Sequence, residues 1–214
     1  MGRVLGLVLL MVATGLAGGY AVAELSEERP RTLEGHASPL PAEPSVPTPS
    51  TVEALPDPDV PPLAVNVPTR PTHLSTGPRG YGLTVNQPVG WRRNRLGETW
   101  TWAVPTNPTN TYLLRVTIIA GRHQSVGVTK DNRLAALRAA EAEGNLVDLT
   151  IESDTPDTFI ATFVADGYRR VTMERFVSFG GGSAYATVAV TGRERDRGGL
   201  TDLVQRTANS MEPG

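Results

Sequence analysis

Hydrophobic and polar positions follow three different rules along this chain. Residues 4–23 form an apolar run without one charged side chain. Residues 24–78 show no period. From residue 79 onward the pattern is regular, and eleven of the twelve aromatic residues lie there. In that last part, alternation with a period of two marks strands. Residues 81–85 read as a short strand, followed by the turn Asn86-Gln87-Pro88-Val89-Gly90-Trp91. Residues 98–104 alternate, with Trp100, Trp102 and Val104 on one face. After the turn cluster at 105–110, residues 112–120 give the strongest strand. Tyr112, Leu114, Val116 and Ile118 share one side of it, and Leu113, Arg115, Thr117 and Ile119 share the other.

The period then changes. Residues 129–142 predict a helix capped by Thr129 or Asp131, with Leu134, Leu137, Ala136 and Ala140 as its apolar stripe and Gly144-Asn145 as its stop. Four strands follow at 146–152, 158–164, 169–179 and 183–190. Asp166-Gly167 and Gly180-Gly181-Gly182 are the turns that make the last three antiparallel hairpins. A final helix over 200–211 sets Leu200, Leu203, Val204, Thr207 and Met211 on one face. The order β-β-β-α-β-β-β-β-α predicts an α+β fold, an antiparallel sheet with two packed helices.

Composition adds a location. As a helix, the apolar run at 4–23 would be about 30 Å long, enough to cross a bilayer's hydrocarbon core. Arg3 precedes it, and Glu24, Glu27 and Glu28 follow it. That asymmetry predicts a single-pass signal anchor at 1–23, with the N-terminus inside and the rest outside. Ala21-Val22-Ala23 has the small-x-small form of a signal-peptidase site, so secretion after cleavage following Ala23 is the alternative. The chain has no cysteine, which excludes a lipidated cysteine, a disulfide framework and thiolate chemistry together.

Twelve of the eighteen prolines fall between Pro39 and Pro78. Proline removes backbone donors and fixes φ, so residues 24–78 predict a disordered, Pro-rich spacer and residues 79–214 an extracytoplasmic globular domain. The P-x-x-P matches at Pro44–Pro47 and Pro58–Pro61 are expected of such a composition. Net charge is −4 over residues 1–78 and +2 over 79–214. Neither value points to nucleic acid.

The segment YGLTVNQPVGW resembles the opening of PsbP-like domains and of actinobacterial exported LpqN-type lipoproteins, a glycine, apolar residues, then Val-x-x-Pro-x-Gly-Trp. TFIATFVADGYRRVTMERFVSFGGGSAYATVAV resembles their three-strand meander, and the terminal helix their last element. The resemblance covers residues 81–213 and implies an α/β/α sandwich used as a binding or accessory module. LpqN-type proteins carry a lipidated cysteine, and here attachment would have to come from residues 4–23.

Candidate chemistry is sparse. His36 and His73 fall in the expected spacer, and His123 stands alone. No metal-ligand spacing, nucleophile elbow or phosphate-binding loop is present, so no catalytic residue, metal or cofactor is expected. Asp154, Asp157, Asp166 and Glu152 read as turn residues. Arg175 shares the parity of Val171, Met173, Val177 and Phe179, so it either points at the apolar face, where a buried guanidinium needs a carboxylate and Glu174 lies on the opposite parity, or marks a pocket or a sheet edge. The densest basic spot is Trp91-Arg92-Arg93-Asn94-Arg95. Trp91, Arg92, Arg93 and Arg95 are therefore the candidate contacts for an envelope protein or an anionic envelope component. The expectation is a membrane-tethered, non-enzymatic binding domain. A secreted accessory or assembly factor for an envelope complex, or an unrecognised exported hydrolase, are the alternatives.

Overall fold

Alternation builds the centre of the molecule. The computed structural model describes residues 52–77, 80–105 and 112–214. The apolar segment at 4–23, the spacer up to residue 51 and most of the turn at 105–110 lie outside the described residues. Ten strands form two antiparallel sheets. The small sheet has the order β1-β2-β10, from β1 (Thr69–Ser75), β2 (Gly82–Pro88) and β10 (Glu212–Pro213). The large sheet begins with β3 (Arg92–Leu96), β4 (Thr99–Ala103) and β5 (Leu113–Ile118). It is completed by β6 (Val147–Asp154), β7 (Thr158–Ala165), β8 (Tyr168–Val177) and β9 (Ala186–Gly192), in the order β3-β4-β5-β9-β8-β7-β6. Two helices, α1 (Val126–Ala142) and α2 (Arg197–Asn209), pack against it. The α+β class read from the sequence is the class observed.

Strand periodicity sorts residues between the two faces. On one face Trp100, Trp102, Leu114, Val116, Val188 and Met173 join α2 and the small sheet in the main core. Leu200, Leu203, Val204 and Thr207 of α2 are buried there, as their spacing predicts. Trp102 is fully buried, and its indole N–H donates to Gln87 Oε1 at 2.9 Å, so the ring's polar edge is satisfied inside the core. On the opposite face, Leu134 and Leu137 of α1 cover Phe159, Ala161 and Phe176 in a second cluster. Asp166 and Gly167, at φ 52° and 79°, form the two-residue β7–β8 turn that their sequence predicts.

Helix α1 begins earlier than expected. Its cap is Ser125, whose hydroxyl accepts from the Val128 N–H at 3.2 Å; neither Thr129 nor Asp131 serves. Thr129 lies inside the helix, with its hydroxyl bonded back to the Ser125 carbonyl. Lys130, the chain's one lysine, is buried on the underside of α1 with its ammonium group on Asp154 and the Thr155 carbonyl.

The largest departure lies in the proline-rich stretch. Residues 52–77, read as disordered spacer, belong to the folded domain. Residues 52–68 form a strap, and β1 follows it. Pro71 is tolerated in β1 because that strand is an edge, paired only with β2. A proline-rich strap offers few N–H donors, so its carbonyls need donors from elsewhere. Arg193 and Arg195 supply them. Arg193 is fully buried and uses all five of its N–H groups. Nε donates to Asp196 Oδ2 at 2.8 Å and Nη1 to the carbonyls of Pro58 and Val60. Nη2 donates to Asp196 Oδ1 and to the Pro61 carbonyl. Asp196 also accepts from the Leu63 N–H at 2.8 Å, and Leu63 drops its side chain into the main core. A Cβ on Gly199 would lie 2.3 Å from the Leu63 carbonyl oxygen, so only glycine lets α2 run this close to the strap. Among the described residues no helix is long and apolar enough to cross a membrane.

Burial alone would raise the Asp196 carboxyl. Hydrogen bonds from the Arg193 guanidinium and from the Leu63 and Arg193 backbone outweigh it and hold the group below the usual aspartate range. Its stabilising contribution is therefore complete above the unfolded-state pKa of about 3.9 and is lost as pH falls through the lower folded value. Asp196→Asn leaves a buried guanidinium without its anion and is expected to cost about 3–5 kcal/mol in denaturant unfolding at neutral pH. The gap from the parent should narrow below about pH 4. Gly199→Ala should lift the strap, raising amide exchange over residues 58–67 before the sheet itself opens, with a loss of about 1–3 kcal/mol.

Candidate functional site

The basic spot found in the sequence becomes β3, an edge strand in which all five residues are exposed. It pairs only with β4, with Arg93 opposite Trp102 and Arg95 opposite Trp100. Opposed residues share a face, so Arg93 and Arg95 project on the side covered by the small sheet. Arg92, opposite Ala103, projects on the other side, as do Asn94 and Leu96. The structure thus splits the four candidate residues. Trp91, Arg93 and Arg95 come together on one side and Arg92 does not join them.

What they meet is β1, the edge of the small sheet. Two grooves lie between these edge strands and share Arg93. One, of about 490 Å³, is lined by His73, Leu74 and Ser75 of β1, by Arg93, Asn94 and Arg95 of β3, and by Trp100. The other, of about 410 Å³, runs past Arg70, Pro71 and Thr72 to Trp91 and Gln87. The Arg95 guanidinium sits 4.9 Å from the Trp100 ring centroid, and its Nε donates to the Gly97 carbonyl, which holds its direction. Trp91 stacks on Tyr112 at 5.5 Å between ring centroids and is packed against the main core, so it forms a wall of its groove and also closes the core.

Charge separates this rim from the rest of the surface. Ten of the fifteen described arginines lie within 4.0 Å of a described carboxylate. Of the five that do not, four are Arg70, Arg92, Arg93 and Arg95, all on β1 and β3. Among the described residues, every arginine outside β1 and β3 except Arg138 has a carboxylate partner, and these four have none. Arg70 and His73 escaped the sequence reading because proline content had assigned them to the spacer. The signal that marks them is their pairing partner, with Arg70 opposite Gln87 and His73 opposite Thr84, in the strand whose start the sequence did reveal.

Arg175 also finds its place. It lines a small cleft of about 270 Å³ between β7, β8 and α2, donates to Asn209 Oδ1 at 2.8 Å and approaches Asp157 at 3.5 Å. Its side chain is two-thirds buried, and its partners come from the turn before β7 and the end of α2 rather than from Glu174. Among the described residues no group of three or more His, Asp or Glu side chains gathers as a metal site.

Comparison with known proteins yields only distant structural likeness. No protein-family model matches the chain, and no curated protein matches it. The Ran-binding protein Mog1p of Saccharomyces cerevisiae, known from a crystal structure, aligns with 68% of this chain and 96% of its own at 6% identity, with a TM-score of 0.44.

Exposed arginines with no described carboxylate beside them should contribute little to folding. Arg93→Glu is expected to shift unfolding free energy by no more than about 0.5 kcal/mol. Trp102→Phe, which strands Gln87 Oε1 in the core, should cost about 1–3 kcal/mol in the same denaturation experiment.

Proposed function

We propose that this chain is a non-enzymatic binding domain, tethered outside the membrane by residues 4–23, that holds an anionic partner of the cell envelope along the rim formed by β1 and β3. The observation that carries this reading is the gathering of Arg70, Arg93 and Arg95, none within 4.0 Å of a described carboxylate, on the facing edge strands β1 and β3, beside Trp91 and Trp100. Exposed guanidiniums of this kind attract an anionic surface over about a Debye length, roughly 8–10 Å at physiological salt. The tryptophans offer flat contact area at low entropic cost. Since the proline-rich residues from 52 onward belong to the folded domain, this reading assigns the tether to residues 24–51. A PsbP-like or LpqN-type α/β/α sandwich is the finer fold reading. Its support is the resemblance of residues 81–213, together with α1 on one face of the large sheet and α2 on the other.

The test is photo-crosslinking in cells, with the full chain carrying a photoreactive residue at position 72, which lines the groove beside Arg93. Recovery of one partner from the membrane fraction, with residues 1–23 retained, is the expected result. The Arg70→Glu, Arg93→Glu, Arg95→Glu triple variant should lose that partner, and raising the salt should weaken the parent's yield. Capture of the same partner by the charge-reversed chain would remove the rim from the mechanism. A mature chain beginning at Glu24 in the medium would remove the tether.

A further inference from the structure

On the opposite face of the large sheet, beyond the cover of α1, strand register lays out a second set of polar groups. Thr99 of β4, Thr117 of β5 and Thr187 of β9 stand opposite one another in a row, with Leu96 at one end and Phe176 at the other. The next row brings Arg115 of β5 and Glu174 of β8 to either side of Ala189. Helix α1 then adds Arg133 above them. These groups line a groove of about 360 Å³.

Glu174 is the centre of this arrangement, and it is sealed at 1% exposure. Its Oε1 accepts from Arg115 Nη2 at 3.1 Å and from Arg133 Nε at 2.8 Å, and its Oε2 accepts from Arg133 Nε at 3.0 Å. One carboxylate thus holds two guanidiniums, brought from positions 59 and 41 residues away in the chain. The three charges sum to +1. Each guanidinium has five N–H groups, and only part of each fork is used on Glu174. Both arginine side chains remain about one-third exposed, at 34% and 32%, so the unused donors are open to the groove. The Thr99 and Thr117 hydroxyls are 3.0 Å apart on its floor. Leu96, 83% exposed, and Phe176 supply apolar walls.

We propose that this groove is a second binding site, one that takes a small organic carboxylate with an apolar body. A net charge of +1 is balanced by one carboxylate, whereas a phosphate dianion would bring one negative charge too many. Guanidinium forks match the two oxygens of a carboxylate in plane. They are already anchored by Glu174, so little side-chain entropy remains to be lost on binding. The apolar tail lies along Leu96, Phe176 and the threonine methyls. This site is independent of the β1–β3 rim, since Arg93 and Arg95 project from the other face.

The experiment titrates the full chain with sodium butyrate, 1-butanol and inorganic phosphate while backbone amide shifts are followed by NMR. Saturable shifts on Thr99, Thr117, Arg133 and Phe176 with butyrate are expected, with butanol and phosphate at least about tenfold weaker. Arg133→Gln should weaken butyrate by about tenfold. Leu96→Glu, at a highly exposed position outside the ion-pair cluster, should also weaken it by at least about threefold while leaving the thermal midpoint unchanged. Arg93→Glu should leave butyrate binding as it is. No saturation below about 50 mM would overturn the proposal. So would equal binding by Leu96→Glu, or a preference for phosphate.

Discussion

One buried ion pair decides where this domain begins. Arg193 and Asp196 are both removed from solvent, and such a pair is seldom stabilising in itself, because two charges have given up their hydration. Here the cost is offset by complete use of the pair's hydrogen-bonding capacity. Every guanidinium N–H has an acceptor, and three of those acceptors are carbonyls of the strap. The pair thereby converts a proline-rich segment with few donors of its own into part of the fold. Once the strap is seated, Leu63 enters the core, and β1 follows to widen the small sheet. Without the strap, β1 would have no fixed point of entry and β3 would have no opposite bank.

Periodicity made much of this legible in advance. β2, β4, β5 and β9 alternate in large part because one face of each meets the main core, and alternation is what a sequence displays; β7 and β8 meet a core on both faces and were legible from the Asp166-Gly167 turn between them. The buried stripe of α2 was legible for the same reason. β3 was invisible because both its faces meet water, so nothing in Arg92-Arg93-Asn94-Arg95-Leu96 needs to alternate. β1 was hidden by Pro71 and by the composition around it, which obeys the rule for spacers until a partner 132 to 135 residues away supplies its missing donors. The cap of α1 was misplaced because Thr129 and Asp131 are equally good capping residues, and only the backbone direction set by the preceding loop chooses Ser125.

The sites show the same division. A cluster of arginines next to a tryptophan is visible as a string, and in the structure it falls on one edge strand, β3. Which arginines share a face depends on the strand's two-residue period, and residues 92–96 had been assigned to no strand. Glu174 posed a different problem. Its parity ruled out Arg175 as a partner, correctly, but the two arginines that do hold it come from β5 and α1. Pairings of that range are set by sheet order, with β9 placed between β5 and β8, and no local pattern reports that order.

Lys130 has a chemical consequence of its own. The chain's one lysine ends in a pocket beneath α1, with its ammonium group on Asp154. The domain's surface positive charge is therefore carried by guanidinium, which stays protonated at any physiological pH and is a poor nucleophile. Acylating reagents, glycating sugars and enzymes that modify lysine find no exposed side-chain amine there. The surface charge pattern is consequently a fixed property of the molecule, closed to the commonest route by which cells and chemists erase positive charge from a protein.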